Sequence, residues 1–111
     1  MKTFKEKILG LFSRKYNEDS ASELRAILEE CLHYTDLSED SVWSCMDVSE
    51  IRFSLKKAIG RLENRKKVRL RSLSFLFLPT GPLQEVSISN GWAEEFLELA
   101  AKFDAVVLKL K

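Results

Sequence analysis

Histidine occurs once, at His33, cysteine twice, at Cys31 and Cys45, and glycine at four scattered positions. A single imidazole rules out metal sites built on histidine pairs, and no serine or cysteine lies in a nucleophile-elbow setting to partner it. His33 falls in the last turn of a helix, where the negative end of the helix dipole favours it structurally. Cys31 and Cys45 are separated by thirteen intervening residues and form no Cys-x-x-Cys pair, so they read as free thiols of a cytosolic protein. Gly10, Gly60, Gly81 and Gly91 stand alone, which excludes a phosphate loop or a dinucleotide fingerprint. Gly91, read as following a strand and opening a helix, is the one place where an anion could dock on free backbone N–H groups.

Long apolar runs are also missing. The longest stretch without charge, SLSFLFLPTGPLQ, is broken by two prolines and a glycine and cannot cross a bilayer as a helix of about 20 residues. The apolar residues around Ile8 are too few and too interrupted by charge for a signal peptide. These absences predict a soluble cytoplasmic protein that needs no cofactor. They argue against an enzyme of the ordinary hydrolase, kinase or dehydrogenase type.

What the chain does hold is apolar residues for one core and a sorted set of charges. With 111 residues, 45% of them hydrophobic, a single domain over 1–111 is expected, and two domains are excluded. Charged residues make up 32% while the net charge is only +1, and that balance conceals large blocks. Residues 1–17 carry net +4, residues 18–50 net −9, residues 51–71 net +8 and the remainder net −2. Blocks of this kind set partner choice and association rate more than they set the fold.

Phe4, Ile8, Leu11, Phe12 and Tyr16 fall at helical spacing among lysines and arginines, predicting an amphipathic helix over about 2–16. Its basic, apolar-faced make-up also fits a helix lying on an anionic membrane surface. Ser20 and Glu23 form a capping-box pair before a stripe of Leu24, Ile27, Leu28, Cys31 and Leu32. In TDLSEDSVWSCMD the periodicity lapses, and Ser38 is placed to cap a short turn that buries Val42 and Trp43. Asp47 with Glu50 caps the next helix, whose stripe of Val48, Ile51, Leu55, Ala58, Ile59 and Leu62 ends near Asn64.

Beyond Lys67 the spacing reads as period 2. Val68 and Leu70, then Leu73, Phe75 and Phe77 after a slip near Ser72, predict a bulged strand over 68–77. PTGP is read as a hairpin turn and EVSIS as the antiparallel partner strand over 85–89. Ser89 or Asn90 then caps a helix lined by Trp92, Phe96, Leu99, Ala100 and Phe103. AVVLKLK, over 105–111, alternates as a third strand. The expected fold is therefore α+β: a small, three-stranded, mostly antiparallel sheet packed by about four helices. The predicted order is helix, helix, short turn, helix, strand, strand, helix, strand.

Asp36, Glu39, Asp40 and Asp47 do not follow the alternating spacing of a calcium loop and lack its central glycine, so they read as caps and solvated carboxylates rather than metal ligands. Glu29, Glu30, Asp36, Glu39 and Asp40, with Tyr34 and Trp43 as aromatic anchors, predict instead a negative face for a cationic protein. Trp43, flanked by serines, is the aromatic expected to be exposed. The alternative is a nucleic-acid-binding or regulatory module using Arg52, Lys56, Arg61, Arg65, Lys66 and Lys67. No helix-turn-helix, zinc-finger or RNA-recognition signature accompanies those cations, and in the run NRKKVRLRS no aromatic is interleaved with them, Phe75 and Phe77 coming only after the charges end.

The stretch LPTGPLQEVSISNGWAEEFLELAAKFD looks like the C-terminal halves of small uncharacterised bacterial proteins. In size, charge segregation and want of catalytic residues the chain is similar to immunity proteins, which neutralise toxins in bacterial competition. That resemblance implies a non-enzymatic inhibitor of a basic partner such as a nuclease toxin. It carries over no residue roles, because immunity proteins share no common motif.

Overall fold

The computed structural model describes residues 16–110. Five helices make up the fold: α1 (Glu18–Asp36), α2 (Val48–Glu63), α3 (Leu70–Leu76), α4 (Pro82–Asn90) and α5 (Ala93–Leu110). Among the described residues there is no strand. The helix expected over 2–16 lies outside them except for Tyr16.

The first two helices start and stop for local reasons. Asn17, three positions ahead of the expected Ser20, is the N-cap of α1. Its Oδ1 accepts the N–H groups of Asp19 at 2.9 Å and Ser20 at 3.3 Å, while Ser20 itself is buried. Glu18 and Asp19 add negative charge to the first turn, where the helix dipole is positive. Asp47 and Glu50 complete a reciprocal capping box on α2, with N···O distances of 2.7 and 3.2 Å, and Asn64 ends that helix. α1 packs against α2 and α5, and α5 also supports α4. The buried side chains form one contiguous cluster, centred on Leu24, Leu28, Ile51, Leu55, Phe96 and Phe103. Each such side chain contributes about 1.5–3 kcal/mol through loss of water-exposed apolar surface.

The α+β expectation is overturned, because all three expected strands are helical. Over 68–77 the chain runs through Val68 into α3, and Leu73, Leu76 and Phe77 are buried while Phe75 is exposed. That is spacing i, i+3, i+4. A period of 2 would have put Phe75 on the same face as Leu73 and Phe77. The slip near Ser72, read as a bulge, is the helical period itself. Phe77 stacks on Phe103 with ring centroids 4.0 Å apart, tying the end of α3 to α5.

EVSIS falls inside α4, where Leu83, Val86 and Ser87 are buried and Ile88 is exposed. PTGP is a helix-to-helix connection rather than a hairpin. Pro82 occupies the first turn of α4, a position whose N–H needs no partner. Gly81 comes so close to the preceding backbone that a Cβ there would lie 2.8 Å from the Leu78 carbonyl oxygen. Gly91, with φ +80°, is the left-handed C-cap of α4, so it ends a helix instead of opening one. The tail to Leu110 continues α5: Val106 and Val107 extend the stripe of Phe96, Leu99 and Phe103 while Leu108 points to solvent. No helix among the described residues is long and apolar enough to cross a membrane.

Candidate functional site

Residues 37–47 join α1 to α2 without regular structure, and long-range hydrogen bonds hold their backbone in place. Ser38 Oγ donates to the Tyr34 carbonyl at 2.8 Å and accepts the indole N–H of Trp92 at 2.9 Å. Asn90 clamps Glu39 from both sides. Its Oδ1 accepts the Glu39 N–H, and its Nδ2 donates to the Glu39 carbonyl, both at 2.9 Å. Ser89 Oγ reaches Ser41 Oγ at 2.8 Å, and Asp40 Oδ1 accepts the Val48 N–H at 2.8 Å, securing the loop to the start of α2. Beneath it Trp92 is buried, and Tyr34 stacks on its ring at 4.9 Å with planes 11° apart.

This tethered loop points large apolar side chains at solvent. Leu37 is 75% exposed, Val42 92% and Trp43 78%, and Phe53, in the second turn of α2, is 69% exposed. Trp43 is exposed, as its irregular setting predicts, and the short helical turn that would have buried it with Val42 does not form, because that segment is bridged by serine hydroxyls instead. Ser41 Oγ accepts the Trp43 N–H at 3.3 Å, and Ser44 Oγ donates to the Met46 carbonyl at 2.7 Å. Residues 36–51 contain five carboxylates and no lysine or arginine. A shallow depression lined by Met46, Asp47, Glu50 and Phe53 adjoins the loop.

The residues read from the sequence as a negative face separate into two groups. Asp36, Glu39, Asp40 and Trp43 belong to the loop or its entrance. Glu29 and Glu30 sit on the outside of α1 near Tyr34 and His33, and Glu29 pairs with Arg25 at 3.2 Å. Tyr34 is half-buried against Trp92, so it supports the loop from below rather than offering itself as an anchor. The carboxylate of Asp40 is engaged with the α2 backbone. Ser89, Asn90 and Trp92, which hold the loop, were not legible as site residues. Local spacing reads Ser89 or Asn90 as the cap that opens the last helix and Trp92 as part of its stripe; instead Ser89 and Asn90 end α4, and α5 starts at Ala93.

The basic block is only lightly neutralised by the acidic one. Arg52 meets Asp36 at 2.6 Å with both side chains partly exposed, and this is the sole ion pair between the two blocks among the described residues. Lys56, Arg65 and Lys66 are exposed. Arg61 Nε donates to the Lys67 carbonyl at 2.6 Å, and the Lys67 ammonium lies 5.5 Å from the centroid of the Tyr16 ring. Among the described residues none of the eight cations from Lys56 to Arg71 has a carboxylate within ion-pair distance.

The two thiols differ in setting. Cys31 is fully buried in α1, and burial, with Glu30 nearby, pushes its thiol up to about 12. Cys45 is exposed in the loop. No three of the His, Cys, Asp and Glu side chains among the described residues converge as a metal ion requires. No family model, curated protein or solved structure matches the chain.

Proposed function

We propose that the chain is a non-enzymatic, immunity-type inhibitor that captures a basic protein, such as a nuclease toxin, through residues 36–50. The observation that carries this reading is Trp43, 78% exposed beside Val42 on a loop whose backbone is clamped by Asn90, Ser89 and Trp92. Tryptophan supplies much of the binding energy where it fills a partner's pocket, and a loop already ordered before binding loses little entropy on docking. The surrounding carboxylates steer a cationic cleft toward that anchor and reject acidic surfaces. The free thiol of Cys45 on the same loop fits a reducing compartment, which supports a cytoplasmic site of action.

The test uses the basic protein encoded beside this chain in its native genome, co-expressed with it in one cell. The wild-type chain is expected to co-purify with that protein and protect the cell. A Trp43→Ala, Glu39→Lys variant is expected to lose the complex while remaining folded. Asp40 is left intact because its carboxylate holds the start of α2. A variant that binds and protects as well as wild type removes this face from consideration.

A further inference from the structure

The trough between α2 and α3 differs from the other depressions of the molecule in its charge. It encloses about 290 Å³ and is lined chiefly by Phe53, Lys57, Arg61, Val68, Arg69 and Leu73. Cations stand on both walls, Lys57 and Arg61 from α2 and Arg69 from the entry to α3, over an apolar floor. No carboxylate lines it. The depression beside Tyr16, by contrast, mixes Glu18 and Glu63 with Arg25, Arg65 and Lys66, and the one between α1 and α5 mixes Glu23 and Glu30 with Lys102.

The cationic wall is built rather than loosely draped. Arg61 Nε bonds the Lys67 carbonyl at 2.6 Å, the Lys66 N–H donates to the Arg61 carbonyl at 2.8 Å, and the Tyr16 hydroxyl donates to the Val68 carbonyl at 3.1 Å. These bonds hold the connection between α2 and α3 against the end of α2, so Arg69 stays across the trough from Lys57. Phe53 adds a ring that is 69% exposed at the trough's edge.

We infer that this trough binds a single strand of nucleic acid, with phosphates on Lys57, Arg61 and Arg69 and a base against Phe53. Two features favour that ligand over a duplex. Cations on both sides of a single trough can track one backbone, and an exposed ring offers stacking that only an unpaired base can use. Phosphates along a strand also match the unpaired, exposed cations next to the trough's lining in sequence, Lys56 beside Lys57 on α2 and Arg71 beside Ser72 on α3. The trough shares Phe53 with the depression that adjoins the acidic loop, but its three cations lie outside residues 36–50 and the inference does not depend on the inhibitor reading.

The test is fluorescence anisotropy of the full chain with labelled twelve-nucleotide oligo(dT) and oligo(U), a duplex of equal length and a labelled poly-glutamate peptide. Single strands are expected to bind best, and the two arms show whether DNA or RNA is preferred. With three phosphates engaged, affinity falls about 20-fold between 50 and 200 mM salt. Phe53→Ala weakens binding by about 5-fold or more, since base stacking on one ring is of that size. Lys57→Glu with Arg69→Glu abolishes binding, whereas Lys102→Glu on α5 leaves it unchanged. Circular dichroism checks that the variants stay helical, and no protein hydrogen bond or ion pair among the described residues uses the Lys57, Arg69 or Lys102 side chain. The inference is overturned by absence of single-strand binding at 50 mM salt, by duplex or poly-glutamate binding as tightly as the single strands, or by retained affinity in the Lys57→Glu, Arg69→Glu variant.

Discussion

The indole N–H of Trp92 donates to the Ser38 hydroxyl at 2.9 Å across 54 positions of sequence. Through this bond a buried tryptophan positions the loop that carries the exposed one. Trp92→Phe retains most of the packing and removes the bond, so unfolding stability measured in urea should drop by about 1 kcal/mol. Asn90→Ala removes both bonds to Glu39 and a third to the Val86 carbonyl, and should lower stability by about 1–3 kcal/mol. Hydrogen exchange at the Glu39 amide should accelerate in Asn90→Ala; an unchanged rate would show that the clamp does not order the loop.

Trp43→Ala separates stability from binding. The side chain is almost free of the core, so the change should leave urea stability within about 0.5 kcal/mol of wild type. In the wild-type chain a soluble quencher should reach the fluorescence of Trp43 but not that of buried Trp92. A single, well-shielded emission in wild type would contradict the exposed loop.

Stability should fall in alkali, and the sign follows from Cys31. Its thiol is raised to about 12 by burial, whereas in the unfolded chain a cysteine ionises at about 8.5. Between these values the unfolded state has lost a proton that the folded state keeps, so stability declines as pH rises, by about 1.4 kcal/mol per unit at most. The contribution is fully present below about pH 8. Tyr16, also raised by burial, adds to the same trend at its upper end. Urea titrations at pH 8 and pH 10 should show the slope in wild type and a shallower one in Cys31→Ala, whatever that variant's lower starting stability.

Two glycines in helical surroundings should respond with opposite signs. Gly60 lies inside α2 with open space where an alanine methyl would project, so Gly60→Ala should stabilise by about 0.5–1 kcal/mol. Gly91 has φ +80°, and Gly91→Ala should destabilise by about 1–2 kcal/mol despite equally open surroundings. Thermal or urea midpoints of the two variants decide it.

Local chemistry accounts for much of the helical half of the chain. The Asp47–Glu50 capping box, the stop at Asn64 and the stripes of α1 and α2 lie within a few residues of one another, so each is readable without knowing any distant contact. The apolar run at 70–77 is different. Leu70, Leu73, Leu76 and Phe77 satisfy a helix, while Leu73, Phe75 and Phe77 satisfy a strand, and a run this short cannot choose between them. The same holds for Val86 with Ile88 and for Val106 with Leu108. Pro82, at home in a first helical turn, was the informative residue, and the hairpin reading of PTGP concealed it.

The candidate face was half legible for a related reason. Its charge needs only composition, and five carboxylates without a cation over 36–51 are visible in any reading of the chain. Its shape needs Asn90, Ser89 and Trp92, which meet Glu39, Ser41 and Ser38 only once α4 and α5 have folded beside α1.

The order of amino acids alone determined the sorting of charge into blocks, the stripe of α1 and both ends of α2, because dipoles, caps and a 3.6-residue stripe act over one or two turns. Tertiary structure decided that 70–76, 82–90 and the tail to Leu110 are helices, that Trp92 is buried beneath the loop, and that among the described residues the acidic and basic blocks form an ion pair only at Asp36 and Arg52. Those outcomes depend on which surfaces a distant helix covers, and burial of that kind is a property of the packed chain rather than of any window within it.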